Sequence, residues 1–193
     1  MELKELLIIE KRNFLIKANG GIALPAAGFI YWLGAGIAGF YLAPKAWIPI
    51  ACFCTGLIFP IGMLLAKPLK SDIMAKSELG SLLLPALLSM LTFWPLAFAG
   101  AAGNPGFIPL AVGVGMGMHW PVVGWMYGGK SFLAHFLIRT IGSTALWYAL
   151  PDDRFTIIPF FVAGVYLITI FGIRWEVELA KKQVADAIAL QTN

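Results

Sequence analysis

The sequence predicts an all-α membrane protein of six transmembrane helices, and three observations lead to that fold class. Hydrophobic residues make up 60% of the 193 residues and charged residues only 12%, with a mean hydropathy of +0.82. A soluble domain with this composition would expose large apolar patches, and disordered chains are poor in apolar residues. The apolar residues also fall into six stretches of about 20 residues, the length that crosses a bilayer as a helix.

The six predicted spans are separated by residues that break helices or carry charge. Pro44 follows the first span, Pro68 the second, and the turn sequence Gly-Asn-Pro-Gly at 103–106 the third. We expect one domain over residues 1–193, with a cytoplasmic N-terminal segment at 1–18 and an amphipathic cytoplasmic tail at 174–193. The spans are Asn19–Leu42, Trp47–Ala66, Ser81–Ala101, Phe107–Tyr127, Ser131–Leu150 and Phe155–Ile173.

Six spans place both chain ends on one side of the membrane, and the basic residues indicate which side. Of the 14 lysines and arginines, Lys45 and Arg154 lie on the side opposite the termini, and Arg139 lies within the fifth span. By the positive-inside rule, the side that carries the others is the cytoplasm. We therefore expect a multi-pass protein of the bacterial inner membrane with short outer loops. The others are Lys4, Lys11, Arg12, Lys17, Lys67, Lys70, Lys76, Lys130, Arg174, Lys181 and Lys182.

Three basic side chains lie inside the predicted spans and form a candidate ligand site: His119, His135 and Arg139. Ionisable groups inside a bilayer are costly and mark functional sites by default. His135 and Arg139 are four residues apart and share a helix face, and no Asp or Glu occurs within any span. One interpretation is an anion site or a proton-linked path open to the cytoplasm. The alternative is structural: Arg139 extends toward the headgroups, and the histidines hydrogen-bond between helices.

The segment Gly124–Ser131 reads GWMYGGKS and matches the phosphate-loop pattern GxxxxGK[ST]. A nucleotide site is rejected, because that motif needs a preceding strand and a surrounding sheet. What remains is the N-terminus of the fifth span at Gly128, Gly129 and Lys130, where free N–H groups and the helix dipole favour an anion. A lipid phosphate is the expected occupant.

Glycines in the fourth span predict close helix packing. Gly113 and Gly117 form a small-xxx-small pair, which either packs within the chain or forms the face of a homodimer. Pro121 is expected to kink the same span and to free backbone carbonyls that suit Arg139. Prolines near the starts of four spans suggest a weak inverted repeat. They are Pro25, Pro85, Pro109 and Pro159.

No cofactor and no metal are expected. The two histidines differ in depth by about one helical turn, which does not suit axial haem ligation, and no carboxylate or thiolate accompanies them as a metal ligand. No acid–base or nucleophile constellation indicates an enzyme. The basic residues are too dispersed for nucleic acid.

The chain resembles a group of small bacterial membrane proteins known only as a domain of unknown function. The stretch that carries the resemblance runs from His119 through the WPVVGWMYG residues that follow, and continues at Ala134–Phe136 and Arg139–Thr140. It implies an integral membrane location over most of the chain and no assigned activity.

Two functions remain open from the sequence. The leading hypothesis is a small transporter-like or anion- or lipid-binding protein with a basic intramembrane site. The alternative is a structural or interaction protein, such as a helix-packing subunit or dimer, without transport or catalysis. The expected partners are membrane lipids, a small anionic ligand and a second copy of the chain.

Overall fold

Helices joined by short turns make up the protein in its computed structural model, which describes residues 2–191. No strand occurs in that range, so the all-α class is confirmed. Met1, Thr192 and Asn193, at the ends of the predicted domain, lie outside the described residues. The helices are α1 (Leu3–Lys17), α2 (Ala23–Tyr41), α3 (Pro44–Cys54), α4 (Ile58–Ala66), α5 (Leu83–Leu91), α6 (Phe93–Gly103), α7 (Phe107–Gly115), α8 (Trp120–Tyr127), α9 (Lys130–Ala149) and α10 (Arg154–Gln191).

Prolines explain why three predicted spans are each built from two helices. A proline lacks the N–H group and clashes with the carbonyl four residues earlier, so the helix breaks before it. Pro60 follows the 3-10 turn Thr55–Leu57 between α3 and α4, and Pro95 follows the α5–α6 break. Pro121 follows the turn that separates α7 from α8, as the sequence predicts.

Five segments are long and apolar enough to cross a membrane, so the predicted count of six spans is not confirmed. The fifth predicted span forms the 20-residue helix α9, but Arg139, His135 and several hydroxyl side chains lower its mean hydropathy. The sixth span and the tail are one continuous helix of 38 residues. The five segments are Asn19–Tyr41, Pro44–Ala66, Glu78–Gly103, Phe107–Tyr127 and Arg154–Leu190.

The centre of the fold is the antiparallel pair of α2 and α10, which approach each other at glycines. A Cβ on Gly28 would lie 2.5 Å from Tyr166 Cε1, so only glycine permits this approach. Residues further along α2 contact residues earlier in α10, so the two helices run antiparallel. The contacting pairs are Gly20–Ile173, Gly28–Tyr166, Gly36–Phe160 and Gly39–Phe155.

Helices α4, α7 and α9 pack against this pair. Helix α9 lies against α10 and against the α7–α8 segment. It runs antiparallel to that segment: Phe132, near the start of α9, lies beside Gly124. Near the end of α9, the Trp147 Nε1–H donates to Gly106 O at 2.7 Å. Segments α3–α4 and α5–α6 are peripheral, and few of their residues are buried. The buried core therefore lies among α2, α7, α8, α9 and α10.

The segment between α4 and α5 consists of turns followed by the 3-10 helix Glu78–Leu82. Ser71, within these turns, is buried against the α1–α2 junction. Its hydroxyl donates to Ala18 O at 3.3 Å and accepts from the Ala23 N–H at 3.4 Å. Helix α1 packs on the same end through Phe14, whose ring lies 4.7 Å from that of Tyr127. This end, where both described chain ends lie, is called the terminal side below.

Candidate functional site

Arg139 is the centre of the candidate site, and its guanidinium group is completely buried, at 0% exposure. Helix α9 directs the side chain between α7 and α10. Its Nη1 donates to the Tyr166 hydroxyl at 3.1 Å and its Nη2 to Val112 O at 3.3 Å, and its Nε donates to Gly113 O. Arg139 therefore binds groups on two neighbouring segments rather than extending toward the membrane surface.

The break between α7 and α8 leaves the Gly113 carbonyl available to Arg139. In a regular helix the Gly117 N–H would donate to this carbonyl, but here it donates to Val114 O at 2.9 Å. The kink predicted at Pro121 thus frees an acceptor for the guanidinium group, as the sequence indicates.

No carboxylate in the described part of the chain neutralises the Arg139 charge. Within residues 2–191 the one ion pair is Lys181–Glu178 at 2.6 Å, on the exposed part of α10. The neighbours of the guanidinium group are aromatic: its Cζ lies 5.1 Å from the Trp32 ring centre and 5.5 Å from that of Tyr166. Such contacts favour a cation but leave its formal charge uncompensated.

His135 lies one helical turn from Arg139, and its hydrogen bonding defines its tautomer. Its Nδ1 is 2.8 Å from Thr169 Oγ1, and that hydroxyl donates its one hydrogen to Val165 O at 2.7 Å. The imidazole Nδ1–H must therefore be the donor to Thr169. The neutral ring then presents a lone pair at Nε2, which is buried and has no partner among the described residues.

Aromatic rings connect His135 to Arg139. The ring of Trp120 stacks on that of His135 at 3.8 Å between centroids, and the Tyr166 ring contacts it edge-on at 4.5 Å. The structure thus brings His135 and Arg139 together through Tyr166.

His119, the third predicted residue, lies to one side of this cluster. It is half-buried, and its Nδ1 lies 3.0 Å from Met90 Sδ on α5. Its ring contacts Trp120 at 6.0 Å, so Trp120 separates it from His135. Within the described residues no group of three or more His, Cys, Asp or Glu side chains could hold a metal ion.

Several buried polar atoms around Arg139 have no hydrogen-bond partner in the described part of the chain. They are Trp32 Nε1, Trp120 Nε1, Ser143 Oγ and His135 Nε2. Both indole groups are donors only, and Arg139 has two further N–H groups beyond the three that it uses. The unpartnered donors therefore outnumber the unpartnered acceptors, which are the His135 Nε2 lone pair and the Ser143 hydroxyl oxygen. We call Arg139, His135, Tyr166, Trp120, Trp32 and Ser143 the polar core.

The N-terminus of α9 binds a carboxylate of the protein itself, that of Glu176 on α10. Glu176 Oε1 accepts from the Lys130 N–H at 2.8 Å and from the Ser131 N–H at 2.9 Å. Gly129 permits this approach, because a Cβ there would lie 2.5 Å from Glu176 Oε2. Gly128 adopts the left-handed conformation, with φ of 69°, that ends α8. The N–H groups expected to bind a lipid phosphate thus bind the α10 carboxylate instead.

The predicted packing glycines face the interior. A Cβ on Gly113 would lie 3.4 Å from Ser143 Oγ, and one on Gly117 would lie 3.4 Å from Arg139 Cδ. Both glycines therefore make room for α9 within the chain, which is the intramolecular one of the two predicted uses.

The residues that sequence reasoning missed are the partners of Arg139 and His135. Of the five tyrosines, Tyr31 and Tyr166 lie deep within predicted spans, away from the membrane interfaces where tyrosine is enriched. That position could have identified Tyr166 as a polar-core residue. No comparable signal distinguished Thr169 from other hydroxyl residues.

The fold and the site define an all-helical protein with membrane-compatible apolar helices and a buried basic centre. A family model described as a family of unknown function (DUF7010) matches residues 9–176, which is most of the chain, and the chain belongs to that family. No curated protein and no solved structure matches the chain.

Proposed function

We propose that the protein is a six-span protein of the bacterial inner membrane whose polar core binds a small anion or the anionic group of a lipid. The observation that carries this proposal is the fully buried Arg139 guanidinium group, which has no carboxylate partner between residues 2 and 191. A buried unpaired charge is destabilising, and intramembrane arginines mark ion and substrate sites. An anion at this position would supply the missing counter-charge.

The unpartnered groups of the polar core support an anion rather than a cation. Two indole N–H groups, the Ser143 hydroxyl and the spare N–H groups of Arg139 can all donate to an acceptor. An anion bound there would lie among spans rather than in a loop, which is the position of substrate sites in transporters. Transport of the anion is therefore the activity that accompanies binding in this proposal.

The direction of the helices supports a sixth crossing by α9. The first and last candidate spans, α2 and α10, run antiparallel. Five successive crossings would leave the first and last spans parallel, whereas six make them antiparallel. Helix α9 is 20 residues, about 30 Å, which equals the thickness of the hydrocarbon core.

Cysteine labelling tests the topology. The native Cys52 and Cys54 are replaced by serine, and single cysteines are placed at Lys45, Asp152 and Lys182. We expect an impermeant maleimide to label Lys45→Cys and Asp152→Cys from the outside and Lys182→Cys from the cytoplasm. Labelling of Asp152→Cys from the cytoplasm would contradict the crossing by α9.

Anion-dependent stability tests the polar core. We expect inorganic phosphate or chloride to raise the melting temperature of the purified protein, because a ligand at 100 times its dissociation constant stabilises by about 2.7 kcal/mol. Arg139→Lys and Ser143→Ala should weaken this effect. Arg154→Gln is the matched control, since Arg154 stacks on Trp147 at the far end of the fold, at 4.0 Å.

The refuting result is equal anion stabilisation in the wild type and in both polar-core variants, or none at any concentration. Proteoliposomes loaded with the stabilising anion test transport separately. Efflux that is lost in Ser143→Ala but kept in Arg154→Gln is the expected outcome.

A structural or interaction role is the second candidate, and the three hydrogen bonds of Arg139 favour it. Guanidinium bonds to Val112, Gly113 and Tyr166 join two segments and could serve packing alone. In that case Arg139→Lys would lower stability without changing any response to anions. A homodimer is tested by the mass of the detergent-solubilised protein. Neither candidate includes a catalytic activity.

A further inference from the structure

We infer that the groove between α9 and α10 on the terminal side binds a phospholipid of the adjacent leaflet. This second site adjoins the polar core at His135, which lines both, and it rests only on the membrane location in the proposed function. Its walls are matching stripes on the two helices, with Ser131, His135 and Ile138 on α9 facing Val165, Thr169 and Gly172 on α10. The space encloses about 110 Å³.

The groove exists because the two helices touch at either end of it. On the terminal side Gly172 permits close approach to Ser131, where a Cβ would lie 2.5 Å from the hydroxyl oxygen. Toward the other side, Gly142 contacts the Phe161 ring. Between these contacts the groove runs along eight residues of each helix, a rise of about 10 Å, and the hydrogen bond between His135 and Thr169 joins the two helices within it.

The groove faces the membrane rather than the protein interior. Ala134, on its wall, is exposed, and the neighbouring Leu137 and Ile168 are 46% and 69% exposed. In a spanning helix, such side chains contact acyl chains. An acyl chain is therefore the occupant that the walls of the groove fit.

The terminal end of the groove adds a preference for phosphate. Lys130 is exposed one residue before Ser131, and the Glu176 carboxylate nearby accepts from the α9 backbone N–H groups. Lys130 forms no ion pair among residues 2–191. Trp175, 67% exposed on α10 at this end, is the type of residue that lies at headgroup depth. A phosphate would complement the free ammonium group, and the tryptophan would lie beside the glycerol region.

Native mass spectrometry of the full chain, purified in mild detergent and mixed with defined lipids, tests this site. We expect the wild type to retain phosphatidylglycerol more strongly than diacylglycerol, which has the same chains but no phosphate. Ala134 is exposed, so the larger side chain in Ala134→Phe can fill the groove without entering the protein interior. This variant should reduce the retention of phosphatidylglycerol by about fivefold or more, the equivalent of about 1 kcal/mol. Lys130→Gln should remove most of the preference for phosphate, by a similar factor.

The matched control is Gly34→Phe, which fills a different groove. Gly34 lines the apolar space between α2 and α3, and a Cβ there meets no atom within 4 Å. This variant should retain phosphatidylglycerol as the wild type does. Unchanged retention in Ala134→Phe, an equal loss in Gly34→Phe, or equal retention of diacylglycerol would each overturn the assignment. The rise in melting temperature that inorganic phosphate causes through the polar core should persist in Ala134→Phe. The two proposals can therefore be refuted independently of each other.

Discussion

Glu176 connects the last helix to the start of α9, and its removal is the perturbation whose cost the structure defines best. Its carboxylate accepts two backbone N–H groups, at 2.8 and 2.9 Å, from the first turn of α9. Loss of such a cap costs about 0.5–2 kcal/mol, and loss of a negative charge at a helix N-terminus costs about 0.3–1 kcal/mol more. Glu176→Ala should therefore reduce the free energy of unfolding by about 1–3 kcal/mol.

Glu176→Gln separates the two contributions, because glutamine keeps an acceptor oxygen but removes the charge. We expect it to cost about 0.3–1 kcal/mol. Glu178→Ala is the matched control on the same helix, since Glu178 pairs only with Lys181 in an exposed bridge. An exposed pair of this kind contributes about 0–0.5 kcal/mol.

Thermal unfolding in detergent measures these differences, since 1 kcal/mol corresponds to about 2–4 °C for a chain of this size. Hydrogen exchange at the Lys130 and Ser131 amides adds a local measurement, because both should lose protection in Glu176→Ala. If Glu176→Ala unfolds at the temperature of Glu178→Ala and both amides stay protected, the cap does not exist as described.

Three further predictions concern helix contacts. Gly28→Leu should lower the melting temperature markedly, because its Cβ would lie 2.5 Å from Tyr166, whereas Gly34→Leu should leave it unchanged. Tyr166→Phe should cost about 1–2 kcal/mol in denaturant unfolding, through the lost hydrogen bond to Arg139, and a cost near zero would contradict that bond. Ser71→Ala should increase protease cleavage of the loop between α4 and α5, since Ser71 joins it to Ala18; unaltered cleavage would count against this contact.

The candidate site could be predicted in part because its residues are exceptional in their surroundings. Arg139 and His135 stand out within apolar stretches, and their spacing of four places them on one helix face. Pro121 likewise indicates a break in the fourth span. Which carbonyl this break exposes to Arg139 depends on the register of α7 against α9, and no local pattern encodes a register between distant helices.

The anion at the start of α9 illustrates the same limit. The glycines and Lys130 predict a helix N-terminus that favours negative charge, and α9 begins at Lys130. The occupant, Glu176, is 46 residues away from Lys130 along the chain. Its position depends on the antiparallel packing of α9 and α10, so a lipid phosphate was the natural expectation from sequence alone.

The sequence by itself determined the elements of this protein: apolar composition, stretches with few charges and prolines define helices that are long and apolar enough for a bilayer, and where these helices break. These features act within one or two helical turns, so they can be read locally. Only the tertiary structure decided that α2 and α10 form the centre, that Tyr166 and the Gly113 carbonyl receive Arg139, and that His119 lies apart from His135. Those choices depend on glycine contacts between helices up to about 150 residues apart, such as Gly20 and Ile173, and membrane helices select partners by the fit of their surfaces rather than by hydrophobicity.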